Sequence, residues 1–99
     1  MRVIALRALR EFLQRPGHGD AEQPLLAWYH EALRSSWRTP AEVKAKYRSA
    51  SVLKNRRVVF NIAGNKYRLV VLIKYEFGIV YVRFIGTHKE YDTIVAETV

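Results

Sequence analysis

Apolar positions follow two different periods along the chain, and the change of period falls near residue 56. In the first half, Leu6, Leu9, Phe12 and Leu13 recur at helical spacing within Val3 to Arg15, and Pro16-Gly17 stops the run. Met1 to Ile4 leaves room for a short edge strand ahead of that helix. A second helix is predicted where Asp20 can act as cap with Gln23 three residues on, its stripe formed by Leu25, Trp28, Tyr29, Ala32 and Leu33. The two helices are expected to pack as a hairpin. Thr39-Pro40-Ala41-Glu42 then joins a Thr cap, a Pro at the first helical position and a Glu three residues after the cap, which opens a short basic helix reaching about Tyr47. Arg48 to Asn55 reads as a linker.

From Arg56 onward the period is two and Val, Ile, Tyr and Phe dominate. Three strands are expected, Arg57 to Ile62, Lys66 to Tyr75 and Ile79 to Thr87, with tight turns at Gly64-Asn65 and Phe77-Gly78 making an antiparallel meander. Val58, Phe60 and Ile62 fall on one face with Tyr67, Leu69, Val71, Ile73 and Tyr75, and that face must lie on the helices. The opposite face carries Arg57, Asn61, Lys66, Arg68, Lys74 and Arg83, with Val59, Val70 and Leu72 between them. Two-residue loops at both turns would pair Asn61 with Arg68 and Arg68 with Thr87, gathering these positions at one end of the sheet. The expected fold is therefore α+β: an N-terminal helical hairpin on an antiparallel sheet of three to four strands, closed by a short C-terminal helix, all within one domain, residues 1–99.

Composition narrows the functional classes. The chain has no Cys, and His18, His30 and His88 lack the spacing of a ligand set, so neither disulfides nor a metal centre is expected. No apolar run approaches the roughly 20 residues of a spanning helix, and Arg interrupts the N-terminus too often for a signal peptide, so a cytoplasmic protein without a membrane role is expected. The net charge of +8 is uneven. Residues 1–33 are balanced, residues 34–57 carry a net +7, and the remainder carries +1. Such a concentration points to a polyanionic partner, foremost nucleic acid.

Near the end, "GTHKEYD", Gly86 to Asp92, places a capping box, Thr87 to Glu90, around chemistry that a cap does not need. His88 and Tyr91 stand one helical turn apart, beside Arg68 of the neighbouring strand. Cleaving RNA without a metal requires a proton taken from the 2′-hydroxyl, a proton given to the leaving 5′-oxygen and cations for the charged phosphate. His88 is the natural proton-transfer group because imidazole titrates near neutrality. As a purely structural reading, Tyr91 packs with Ile94 and Val95 at i, i+3, i+4, and Asp92 favours the positive end of a helix.

The stretches "VVFNIAGNKYRLVV" (Val58 to Val71) and "YVRFIGTHKEYD" (Tyr81 to Asp92) resemble the HigB toxins of type II toxin-antitoxin modules, members of the RelE-like superfamily of mRNA interferases. The resemblance implies a RelE-like fold and a ribosome-dependent endoribonuclease without cofactor, restrained by a helix-turn-helix HigA-like antitoxin, with mRNA and the ribosome as its other partners. It implies a catalytic set of Arg68 on the scissile phosphate, His88 and Tyr91 in proton transfer or nucleotide orientation, and Lys66 in support. Asn61, Arg56, Arg57, Lys74, Arg83, Lys89 and Asp92 would hold RNA. Two other classes compete. A non-catalytic RNA-binding module would need aromatic side chains on the basic face, where the register leaves only Tyr81. A DNA-binding repressor would need a base-reading helix, and the one at Pro40 offers Glu42, Lys44 and Lys46.

Overall fold

The computed structural model describes all 99 residues, Met1–Val99. In chain order it contains β1 (Arg2–Ile4), α1 (Leu6–Gln14), a 3-10 turn (Gly19–Ala21), α2 (Glu22–Arg34), α3 (Pro40–Lys46), β2 (Ser51–Val52), β3 (Arg57–Ile62), β4 (Tyr67–Lys74), a second 3-10 turn (Tyr75–Phe77), β5 (Ile79–Thr87) and α4 (His88–Tyr91). The strands form one sheet in the order β1-β5-β4-β3-β2. Only β1 runs parallel to its neighbour, which makes the sheet mixed.

One face of the sheet carries the main core. Val58, Phe60 and Ile62 of β3 and Tyr67, Leu69, Val71 and Ile73 of β4 pack against Leu9 and Phe12 of α1, Leu25 and Trp28 of α2 and Val43 of α3. The alternation in the strands predicts this partition. Phe60 is its aromatic hub, with Trp28, Trp37 and Tyr47 around it at ring separations of 5.0 to 6.3 Å. The helical pair is splayed: α1 lies over β5, α2 meets β1, and an apolar cleft of about 330 Å³ lined by Leu6, Leu9, Leu13, Leu25, Leu26 and Tyr29 runs between them.

Five expectations need correction. Asp20 does not cap α2; the 3-10 turn runs directly into that helix through Ala21, which leaves the Asp20 carboxylate for long-range partners. The stretch Arg48 to Asn55 is not only a linker, because Ser51 and Val52 pair with Val59 and Val58 and give the sheet a fifth strand at its edge. The β4–β5 connection spans Tyr75 to Gly78 as a 3-10 turn closed by Gly78 at φ +65°, so Lys74 rather than Glu76 faces Ile79. A bulge at Arg83 then shifts the pairing by one residue, so Arg68 faces Gly86 rather than Thr87. Finally, α4 stops after four residues. Ile94 joins a second small core while Val95 is 61% exposed, so the i, i+3, i+4 stripe does not continue.

That second core covers the other face of the sheet. Val59 and Val70 are buried beneath Ala96, with Leu53, Phe84, Tyr91, Ile94 and Val99 packed around them. The face that reads as basic is thus apolar at its centre, and the bulge at Arg83 is the reason Phe84 can turn towards it. Arg68 lies at one end of it and Lys74 at the other, with Arg83 at the bulge between them.

Candidate functional site

At one end of this second face, β3, β4 and β5 set three positions side by side: Asn61 opposite Arg68, and Arg68 opposite Gly86. The first pairing is secured by the turn Ala63 to Lys66, where Gly64 takes φ +67° and the Lys66 amide donates to the Ala63 carbonyl at 3.3 Å. Gly86 has a steric reason to be glycine. A Cβ there would lie 2.6 Å from Cζ of Phe84 and 3.1 Å from Oε1 of Glu90.

Immediately beyond Gly86 the chain turns into α4. Thr87 Oγ1 accepts from the Glu90 amide at 3.1 Å and Glu90 Oε1 accepts from the Thr87 amide at 2.9 Å, the reciprocal cap expected from the sequence. The second carboxylate oxygen of Glu90 accepts from Arg15 at 2.9 Å, so the end of α1 braces this cap. These two contacts hold the Glu90 carboxyl below the usual glutamate range, the Thr87 amide foremost. The His88 amide donates to the Lys66 carbonyl at 3.0 Å, which ties α4 to the β3–β4 turn.

The candidate side chains then divide. Arg68 is half-buried, and its guanidinium donates to the carbonyls of Asn65 at 3.0 Å and Tyr67 at 3.4 Å. His88 Nδ1 lies 3.2 Å from Asp92 Oδ2. When Nδ1 donates to that carboxylate, Nε2 remains the free acceptor. Asp92 sits at the C-terminal end of α4, so the helix dipole does not explain it; its contact is His88. Tyr91 packs by its ring against the Val59–Val70–Ala96 cluster, and its hydroxyl makes no hydrogen bond within the protein. Lys66 forms an ion pair with Asp20 of the α1–α2 connection, and Tyr67 donates its hydroxyl to the other oxygen of the same carboxylate, both at 2.5 Å.

The remaining candidates lie elsewhere. Asn61 donates to the Ser49 carbonyl at 3.3 Å, fastening the loop ahead of β2. Arg57 and Arg83 both donate to the Val99 carbonyl, at 2.7 and 3.2 Å, and so hold the C-terminal segment on the sheet. Arg56 is paired with Glu76, and Lys74 lies 5.8 Å from the ring centre of Tyr81, both far along the strands from Arg68. Lys89 has no protein partner. Of the basic middle stretch, Arg34 and Lys46 flank Glu31, at 3.5 and 3.1 Å, and Lys44 donates to the Ala50 carbonyl. Arg38, Arg48 and Lys54 keep their charge unshared and exposed.

Sequence reasoning missed Arg15, His18 and Asp20. His18 is 9% exposed, stacked on Phe12 at 4.2 Å and edge-on to Tyr67 at 5.4 Å, with Nδ1 3.2 Å from the Phe12 carbonyl. The helix-breaking "PGHGD" gives no periodic signal, so nothing local announces that this connection reaches the end of the sheet. None of the four surface depressions of the molecule lies over Arg68, His88 and Tyr91. The site is open surface, a form suited to an extended ligand rather than to an enclosed small molecule.

The architecture is that of a small RelE-like α+β domain, whose candidate side chains stand on β4 and α4 at one end of the sheet. Residues 21–94 match the family model of HigB toxin, the RelE-like toxic component of a toxin-antitoxin system. The chain is 30% identical to the mRNA interferase toxin HigB of Escherichia coli (strain K12) over 97% of its own length and 92% of the relative's. It has the same identity and coverage with the mRNA interferase HigB of Shigella flexneri. It belongs to the HigB family, and as the toxic component of a toxin-antitoxin system it has an antitoxin as partner.

Proposed function

We propose that this chain is a ribosome-dependent mRNA endoribonuclease, the toxin of a type II module, held inactive by a HigA-like helix-turn-helix antitoxin in the cytoplasm. The observation that carries the reading is the convergence of Arg68 opposite Gly86, of α4 directly after Gly86, and of the Lys66 carbonyl bound to the His88 amide. The backbone thus sets the residues that carry a guanidinium, an imidazole and a phenol on neighbouring elements at one end of the sheet, which supports the reading. The names of the relatives supply the substrate, mRNA.

In the reaction proposed, the 2′-oxygen attacks the adjacent phosphorus, the bond from phosphorus to the 5′-oxygen breaks, and the products end in a 2′,3′-cyclic phosphate and a 5′-hydroxyl. Arg68 and Lys66 stabilise the charge that builds on the phosphate oxygens. His88 exchanges a proton through Nε2, oriented by Asp92 on the other nitrogen. Tyr91 orients the nucleotide or passes the second proton through its free hydroxyl. Asp92 is then a partner of His88 rather than an RNA contact, because a carboxylate repels phosphate. Lys89, Arg38, Arg48 and Lys54 supply the salt-sensitive grip on RNA phosphates.

Primer extension on translated mRNA after induction tests the reading. New 5′ ends should appear with the native chain, while Arg68→Ala and His88→Ala should each lower cleavage by about 10²- to 10⁴-fold with the fold intact by circular dichroism. Undiminished cuts in both variants would refute the assigned site, and cuts in untranslated RNA would refute ribosome dependence.

A further inference from the structure

Asp20 sets a carboxylate against Lys66, one of the residues proposed to meet the scissile phosphate. It lies at the end of the sheet, 46 residues from Lys66 in sequence, and is solvent-exposed. An acidic side chain beside phosphate weakens binding, so its position calls for a compensating role. Its contacts are specific: one oxygen accepts from the Lys66 ammonium and the other from the Tyr67 hydroxyl, two consecutive residues of the same chain. The connection that carries it is itself anchored, through His18 packed between Phe12 and Tyr67 and through the Ala21 amide donating to the His18 carbonyl at 3.0 Å. The Lys66 carbonyl, in turn, receives the His88 amide.

We propose that Asp20 is a positioning residue for RNA cleavage, one that aims the Lys66 ammonium at the scissile phosphate while the Lys66 backbone holds His88. The inference rests on the proposed ribonuclease reading. A lysine head on a four-carbon stem, 67% exposed, has many rotamers open to it. Asp20 selects one of them. The ammonium has three N–H groups and Asp20 occupies one, so two remain for phosphate oxygens. Lys66 lowers the Asp20 carboxyl below its ordinary range, and Asp20 in turn raises the Lys66 ammonium, so both stay charged at neutral pH. Preorientation of this kind acts on the chemical step more than on ground-state binding.

The two steps separate in the isosteric variant Asp20→Asn, assayed on ribosomes programmed with a short mRNA. Removing a negative charge should leave KM unchanged or lower it, while kcat falls on the order of tenfold because the ammonium is no longer aimed. Asp20→Glu, which restores the charge, should recover part of that loss. In a Lys66→Met background the same Asp20→Asn change should cost nothing further, since its effect passes through the ammonium. Thermal unfolding of each variant shows whether the fold is kept. A native kcat in Asp20→Asn, or a loss of equal size with and without Lys66, overturns the inference. If Arg68→Ala and His88→Ala abolish cleavage in the same assay, that failure concerns Asp20 alone; if they do not, the ribonuclease site itself is wrong and the inference falls with it.

Discussion

Tyr91 belongs half to the core and half to the surface. Its ring completes the cluster over Val59 and Val70, while its hydroxyl has no partner in the protein. A packing role and a chemical role are therefore separable in one residue by removing a single oxygen. Tyr91→Phe keeps the apolar contacts and should change stability by less than about 0.5 kcal/mol in urea denaturation. It should nevertheless lower cleavage on the order of 10²-fold if the phenol takes part in proton transfer. Native cleavage by this variant would return Tyr91 to a purely structural position. Gly86 shows the same economy: Phe84 and Glu90 fill the space a Cβ would need, so its lack of a side chain permits both the packing of Phe84 in the second core and the close approach of the Glu90 cap to β5.

At the scale of elements, α4 is too short to be stable by itself, because a helix of four residues spends its few hydrogen bonds on nucleation. It is held by its surroundings. Thr87 and Glu90 satisfy its first amides, Arg15 braces Glu90, and the Lys66 carbonyl takes the His88 amide. Thr87→Ala should cost about 1 kcal/mol, read as a lower unfolding midpoint, and hydrogen exchange should accelerate at the amides of residues 88–92 more than in β4. Unchanged exchange there would mean that tertiary contacts, not the cap, hold the helix. The cap is legible in the sequence because all its atoms lie within four residues. The brace from Arg15 is not, since the partners are 75 residues apart.

Across the whole molecule, the same few carboxylates connect stability to pH. Asp20 beside Lys66, Glu31 beside Lys46, Glu76 beside Arg56 and Glu90 at its cap all titrate below their ordinary values. A carboxyl lowered in the folded state contributes stability that is present above its unfolded value, 3.8 for Asp and 4.5 for Glu, and is lost as pH falls through the lower folded value. The urea midpoint should accordingly be flat near about pH 6 and drop steadily below about pH 4.5, with a shallower drop in Asp20→Asn than in the native chain. A midpoint unchanged into strong acid would show that these pairs carry no net stability. High salt should flatten the curve as well, since the pairs are exposed and screened.

What the sequence determined by itself is whatever depends on neighbours within a few residues. The alternating faces of β3 and β4, the Thr39 and Thr87 caps, the turn at Gly64-Asn65 and the pairing of Asn61 with Arg68 all follow from local periodicity and turn chemistry. Tertiary structure decided the rest. The longer turn at Tyr75 to Gly78 and the bulge at Arg83 moved Arg68 from Thr87 to Gly86, residues 94–99 folded back over the basic face, and Asp20, Glu90 and the Val99 carbonyl selected which cations are tethered. These choices are made between groups tens of residues apart, where burial of Val59 and Val70 and the pairing of charges outweigh any local preference. A one-dimensional pattern carries no trace of them, because the contacts that decide them exist only once the chain has closed on itself.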